Sequence, residues 1–198
     1  MIRAVVFDLD GVLRHFDPAL VAQIEERNGL AGGSIHAAAF EPTLLAAVTT
    51  GAIPREEWML RVGAQLENFA AAAEWAAHPS VADERMLMLS DQLRASGIRT
   101  AILTNGTDTI PAELRELGIV TRVDAVFNSA EIGFAKPDVR AFQHVLDALR
   151  LKAHEVLFTD DSASKLVGAA ALGMPTHHFT GIDGLREALR AAGLAVSA

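Results

Sequence analysis

Residues 4–17 read AVVFDLDGVLRHFD. An apolar, partly β-branched run leads directly into two aspartates, Asp8 and Asp10, separated by one leucine and followed by Gly11. Carboxylates at the end of a buried strand need a reason, because a buried charge is stable only when it is paired or coordinated. Side chains alternate between faces along a strand, so Asp8 and Asp10 share one side if the extended chain continues through them.

Further apolar runs follow at 98–104 (IRTAILT), 123–128 (VDAVFN), 155–159 (EVLFT) and 175–179 (PTHHF). Several are apolar throughout, the pattern of parallel strands covered by helices on both faces. Helical patterns with readable ends lie between them. Ser80 to Asp83 resembles a capping box ahead of ERMLMLSDQLRA, with Gly97 as the residue after its end. Pro111 opens a short helix closed by Gly118, and Pro137 precedes the helix of AFQHVLDALR. This alternation predicts an α/β fold, a doubly wound parallel sheet with a Rossmann-like core. One block breaks the pattern. From 16 to 79 only helical stretches appear, among them PALVAQIEER, PTLLAAVTT and REEWMLRVGAQL. An all-helical segment of about 60 residues after the first strand reads as an inserted cap rather than a crossover. The expected division is a core of 1–15 and 80–198 with a small helical cap of 16–79.

Composition narrows the function classes. The chain has 198 residues, 51% of them hydrophobic, enough for a real core. Its 17 Lys and Arg stand against 25 Asp and Glu, and no basic cluster is long enough to track a phosphate backbone, so nucleic acid is not an expected partner. Cysteine is absent, which excludes a disulfide framework, a thiolate nucleophile and a Cys-based metal site. No apolar run reaches the roughly 18 residues that a membrane span needs, and MIRAVVFDLD lacks a signal-peptide pattern. A cytoplasmic monomer or homodimer without a membrane partner is the expectation.

In a doubly wound sheet, ligands sit outside the carboxyl ends of the strands. Asp8 and Asp10 are at such an end. The second apolar run finishes in Thr104-Asn105-Gly106, the third leads to Lys136-Pro137-Asp138, and the fourth finishes in Thr159-Asp160-Asp161. Two carboxylates about 5 Å apart repel by roughly 3 kcal/mol at an effective dielectric near 20. One lysine offsets part of that charge, and a hard divalent cation would offset most of it. Mg2+ is the natural candidate, since it takes one or two carboxylates, keeps waters and accepts a phosphate oxygen. A carboxylate nucleophile, a metal, a lysine and a hydroxyl donor form a site for a phosphoryl group, whose transfer needs in-line positioning and charge stabilisation.

These segments resemble the haloacid dehalogenase superfamily, in its phosphatase branch with a small α-helical cap. FDLDGVL is similar to the first motif, ILTN to the second, the lysine of GFAKPD to the third and LFTDDS to the fourth, and TGAIPREEW is similar to a recurring cap segment. The resemblance implies that Asp8 is a nucleophile forming an aspartyl-phosphate. It implies that Asp10 protonates the leaving oxygen and later activates water, with its main-chain carbonyl on the metal. Thr104, Asn105 and Gly106 would hold phosphoryl oxygens, Lys136 would pair with Asp8 and the phosphate, and Asp161 with Asp160 would bind Mg2+. Gly11 would let the chain turn while its backbone approaches the phosphate. Two positions depart from the pattern. Val12 stands where many relatives have Thr, a structural change. Lys165 stands where relatives often carry Asp or Asn; it would weaken Mg2+ binding, replace part of the positive charge at the site, or reach solvent on its flexible stem, and the last two readings are favoured.

Each feature taken singly has a plainer reading. Asp8 and Asp10 alone read as turn or N-cap residues, Lys136 as a loop lysine, and Thr104-Asn105-Gly106 as a turn. It is their joint occurrence that points to a Mg2+-dependent phosphomonoester hydrolase for a small phosphorylated metabolite, with sugar phosphates among the candidates. A haloacid dehalogenase, which needs no metal, and a phosphoacceptor or non-catalytic binding protein are the alternatives. His177 and His178 read as structural, His15 as a surface residue ahead of a cleft role, and Trp58 as cap core ahead of a substrate stack. Arg14, His15, Phe16, Arg55 and Trp58 are the candidates for specificity.

Overall fold

The computed structural model describes residues 1–197. Seven strands are β1 (Ala4–Phe7), β2 (Arg14–Phe16), β3 (Ser80–Ala82), β4 (Arg99–Thr104), β5 (Ala125–Asn128), β6 (Val156–Asp160) and β7 (Thr176–His178). Five of them form one sheet in the order β5-β4-β1-β6-β7, and every neighbouring pair in it is parallel. The expected doubly wound sheet is therefore present, with the aspartate-bearing strand at its centre.

The two-residue period of β1 divides the core. Val5 and Phe7 face one layer, where they meet Met86, Leu89 and Leu93 of helix α6 (Glu84–Ala95), Leu114 of α7 (Ile110–Glu116) and Leu185 and Leu189 of α11 (Ile182–Ala191). Ala4 and Val6 face the other, against Phe142, Val145 and Leu146 of α9 (Val139–Leu149) and Ala169 of α10 (Val167–Ala171). Both faces of the central strands β1, β4 and β6 are thus dry, which is why these read as nearly continuous apolar runs, while the edge strand β7 is exposed at Thr176 and His178.

Between β2 and β3 lie α1 (Pro18–Arg27), α2 (Ser34–Ala39), α3 (Pro42–Thr49), α4 (Arg55–Gln65) and α5 (Phe69–Ala76). This helical insert packs on cores of its own, Leu44, Val48, Trp58, Val62 and Ala72 in one and Ile24, Ile35 and Ala71 in another. Trp58 is core, as expected. Its indole N–H donates to the Ala39 carbonyl at 3.1 Å, and its ring meets Trp75 edge-on at 5.3 Å. The insert is docked on the sheet domain at two points. The Arg55 main-chain N–H donates to Asp108 Oδ1 at 2.8 Å. Gly51, at φ +74°, approaches the short helix α8 (Ser129–Ile132) so closely that a β-carbon would lie 2.2 Å from the Ala130 carbonyl oxygen. Among the described residues no helix is long and apolar enough to cross a membrane.

The structure corrects one local expectation. Ser80 is not part of a capping box, because Ser80–Ala82 pairs antiparallel with Arg14–Phe16 as a two-stranded ribbon. The N-cap of α6 is Asp83, whose Oδ1 accepts from the Met86 N–H at 3.0 Å. Asp83 Oδ2 meets His15 Nε2 at 3.1 Å, so His15 belongs to the ribbon. A three-residue strand carries too little pattern to be read from sequence, and its partner lies about 65 residues away.

Candidate active site

Strand β1 stops at Phe7, and Asp8 is the first residue beyond it, 2% exposed. Its Oδ1 accepts from the Leu9 main-chain N–H and from Lys136 Nζ, each at 2.7 Å. Both contacts fall on the same oxygen and leave the other free of them. Lys136, brought in from the loop between α8 and α9, also donates from Nζ to Asp160 Oδ2 at 2.6 Å. Asp160 ends β6 fully buried, and its Oδ1 accepts from the Ser162 N–H at 2.9 Å. The next residue, Asp161, turns an exposed carboxylate to the same place: one oxygen from each of Asp8, Asp160 and Asp161 lies within 4.8 Å of the others.

Three acids around one buried ammonium leave negative charge uncompensated, and the titration behaviour reflects it. Burial raises Asp8 to about 6; Lys136 opposes the rise and Asp160 adds to it. Asp161 is raised as well, by burial first and then by Asp160, with Lys165 and Lys136 opposing. Lys165 sits half-buried in the turn Ala163–Leu166, and its charge favours the ionised forms of both Asp8 and Asp161. Of the three readings of this residue, partial replacement of positive charge is the one these electrostatic contributions favour.

The carboxylate set also fits a hard divalent cation on steric grounds. Gly11, at φ +82°, has no side chain where one would collide with the Asp161 carboxylate, so the glycine makes room for that ligand. Oxygen-only donors in this number suit Mg2+ rather than a soft metal.

Asp10 stands apart from this cluster. Its carboxylate is held by Arg14, with Nε on Oδ1 at 2.6 Å and Nη2 on Oδ2 at 3.1 Å. The turn Leu9–Arg14 produces this: Gly11 N–H donates to the Arg14 carbonyl and Arg14 N–H to the Leu9 carbonyl, so the chain does not stay extended through Asp10. Its side chain borders a large chamber beneath the insert. Arg14 is 3% exposed and its Nη1 also donates to Glu113 Oε2 at 2.6 Å. Burial would lower the Arg14 pKa, but hydrogen bonds and charge from Asp10 and Glu113 outweigh it and raise it. Burial likewise raises Glu113, and bonds from Thr109 and Arg14 outweigh it and lower it.

Thr104 ends β4 next to β1, 1% exposed. Asn105 does not reach outward. Its Nδ2 donates to the Lys136 carbonyl at 2.8 Å and its Oδ1 accepts from the Lys136 N–H at 2.7 Å, a two-bond brace for the lysine loop. The Gly106 N–H is likewise engaged, by Ser129 Oγ at 3.1 Å. Sequence reading passed over Arg14, Glu113, Asn128 and Ser129 as supports. Asn128-Ser129 follows β5 as Thr104-Asn105 follows β4, so the same strand-end rule would have found that pair. The salt bridge from Arg14 to Glu113 spans 99 residues and has no sequence signature. His178 Nε2 lies 3.0 Å from the Asp161 carbonyl oxygen, a structural contact as expected.

Comparison with known proteins finds relatives in sequence and in fold. A sequence profile described as "Hydrolase: haloacid dehalogenase-like hydrolase" matches residues 2–173. The chain is 28% identical over 187 residues to the sesquiterpene phosphatase astK of Aspergillus oryzae, with 90% of each protein covered. It is 30% identical over 188 residues to the phosphatase MT3486 of Mycobacterium tuberculosis, covering 87% of this chain and 85% of the relative. In fold it is similar to the HAD family enzyme bt-2542 of Bacteroides thetaiotaomicron in complex with magnesium and inorganic phosphate, with a TM-score of 0.74 at 20% identity over 89% of this chain and 93% of that one.

Proposed function

Since the chain belongs to the haloacid dehalogenase-like hydrolases, we propose that it is a Mg2+-dependent phosphomonoester hydrolase working through an aspartyl-phosphate on Asp8. The observation that carries the proposal is Lys136 Nζ held between Asp8 Oδ1 and Asp160 Oδ2 with the Asp161 carboxylate alongside. Names of relatives support the phosphatase branch, one of them a sesquiterpene phosphatase. So does the phosphate and magnesium complex of a protein with the same fold.

The Asp8 oxygen that Lys136 does not hold attacks the phosphorus in line, and the bond to the leaving oxygen breaks. Asp10, on the chamber floor, gives that oxygen a proton; it then takes one from the water that attacks the phosphorus of the aspartyl-phosphate, releasing phosphate and restoring Asp8. Two carboxylates divide the work because one is occupied by the phosphoryl group when the other must act as base. Lys136 holds Asp8 in position and meets the charge of the phosphoryl oxygens, helped by the Thr104 hydroxyl. Asp8, Asp160 and Asp161, with the Asp10 carbonyl, would hold Mg2+, which when bound supplies the remaining positive charge at the transferring group. The helical insert serves as the cap, excluding bulk water from the floor. A metal-free dehalogenase would gain nothing from three clustered acids.

The test is phosphate release from a panel of phosphomonoesters with Mg2+ and with EDTA, for the parent and for Asp8→Asn. Multiple turnover that depends on the metal and disappears in the variant is expected. Equal rates for the two proteins would remove Asp8 from the nucleophile's role, and a single labelling event without turnover would favour a phosphoacceptor.

A further inference from the structure

Resting on the phosphomonoesterase reading, the geometry points to a substrate whose leaving group is an extended apolar alcohol without a second charge, seated in the chamber between the insert and the floor at Asp10 and Asn105. The chamber, open to solvent on one side, has a volume of about 720 Å3, in the range of pockets that bury a whole small molecule. That is far more than a phosphoryl group needs.

Its insert-side wall includes Val21, Ile35, Phe40, Leu45, Val48 and Trp75. These six side chains offer no partner to a hydroxyl, and a hydroxyl stripped of water against them opposes binding; polar groups on that side are confined to other lining residues, among them Asp17, His36, Thr49 and His78. Phe40 and Phe16 both line the chamber and are 44% and 43% exposed, although each is a large aromatic ring. An apolar guest would cover them. The two imidazoles of the wall are packed on these same rings, His36 stacked on Phe40 at 4.5 Å and His78 edge-on to Phe16 at 5.6 Å.

Charge points the same way. Two cations border the chamber, Arg14 and Arg55, against four carboxylates, Asp10, Asp17, Glu113 and Glu116. Arg14 is engaged by Asp10 and Glu113, and Arg55 Nη2 donates to the Ala76 carbonyl at 2.7 Å. A diphosphate, a phosphorylated acid or a nucleotide would bring a second anion into a wall of net negative charge in which Arg14 is already paired with two carboxylates. A neutral apolar chain meets no such opposition. Asp10 and Asn105, which line the chamber, are chain neighbours of Asp8 and Thr104, so a phosphoryl group held at Asp8 would direct its hydrocarbon into the chamber.

The experiment uses alkyl monophosphates from butyl to decyl below their micelle concentrations, together with geranyl monophosphate, geranyl diphosphate and glucose 6-phosphate. For the parent with Mg2+, kcat/KM should rise by about three- to fourfold per added methylene, as burial of one CH2 predicts, and geranyl monophosphate should exceed both its diphosphate and glucose 6-phosphate at least about a hundredfold. Leu45→Gln should flatten the chain-length slope. Calorimetry of the same alkyl phosphates on Asp8→Asn protein should show affinity rising along the series, a readout independent of turnover. Turnover that is flat with chain length, or best with glucose 6-phosphate, overturns this inference and leaves the phosphatase reading intact. Absence of turnover with every ester overturns the phosphatase reading and this substrate class with it. Flat affinities on the Asp8→Asn protein overturn the role given to the chamber wall.

Discussion

Gly11 and Asp161 are in such close approach that a β-carbon on residue 11 would stand 2.2 Å from Asp161 Oδ2. The glycine is also at φ +82°, a conformation that other residues adopt at a cost of about 1–3 kcal/mol. Gly11→Ala should therefore lose stability by that amount and push the Asp161 carboxylate away. Displacement on the scale of 1 Å lowers rates by about a hundredfold. Phosphate release and a Mg2+ titration by thermal shift check both effects; a variant that binds Mg2+ like the parent would show that the two residues do not share this space.

Lys136 is the single ammonium between Asp8 and Asp160, and its side chain is fully buried. Lys136→Met leaves both acids uncompensated, a change that costs about 3–5 kcal/mol, or about 6–20 °C in melting temperature for a chain of this size. Part of the loss should return when Mg2+ is added. An unchanged melting temperature in EDTA would contradict the ion-pair geometry.

Burial lifts the Asp8 carboxyl from 3.8 to about 6. Its folded pKa is the higher one, so the stabilising effect of that proton is complete below pH 3.8 and is lost as pH rises through about 6. A cation bound to Asp8 competes with the same proton. Stabilisation by Mg2+ should thus be small at pH 5 and large at pH 7.5, reaching about 2.7 kcal/mol at a hundred times Kd. Melting curves at the two pH values, with and without Mg2+, measure it, and an equal shift at both would place the cation elsewhere.

Asn105 braces Lys136 through two main-chain hydrogen bonds, each worth about 1 kcal/mol. Asn105→Ala should lower kcat about 10- to 100-fold through the misplaced lysine, with a smaller change in KM. If KM rises and kcat is preserved, Asn105 contacts the substrate instead.

Much of this site was legible because the fold repeats one rule. Strands buried on both faces show as apolar runs, and the residues at or just past their ends, Thr104, Asp160 and Asp8, are delivered to one rim by parallel pairing. Lys136 was legible only through its motif, since its loop carries no strand that would place it. The roles of Asp10 and Asn105 side chains were less so. Whether a side chain next to the rim faces a ligand or a neighbouring loop depends on partners far along the chain, such as Arg14 with Glu113. The ribbon of β2 with β3 escaped for a related reason: three-residue strands gain their identity from each other and not from local pattern.

The ribbon also sets how the protein can change. Phe16 and Ser80 are paired across it, so the chain leaves for the helical insert and returns from it at neighbouring points. No strand of the parallel sheet pairs with what is threaded between those two residues, which meets the sheet domain at Asp108 and Ala130. A different helical module could be spliced in at this doorway while the catalytic floor kept its geometry, which makes substrate range an exchangeable part and hydrolysis a fixed one.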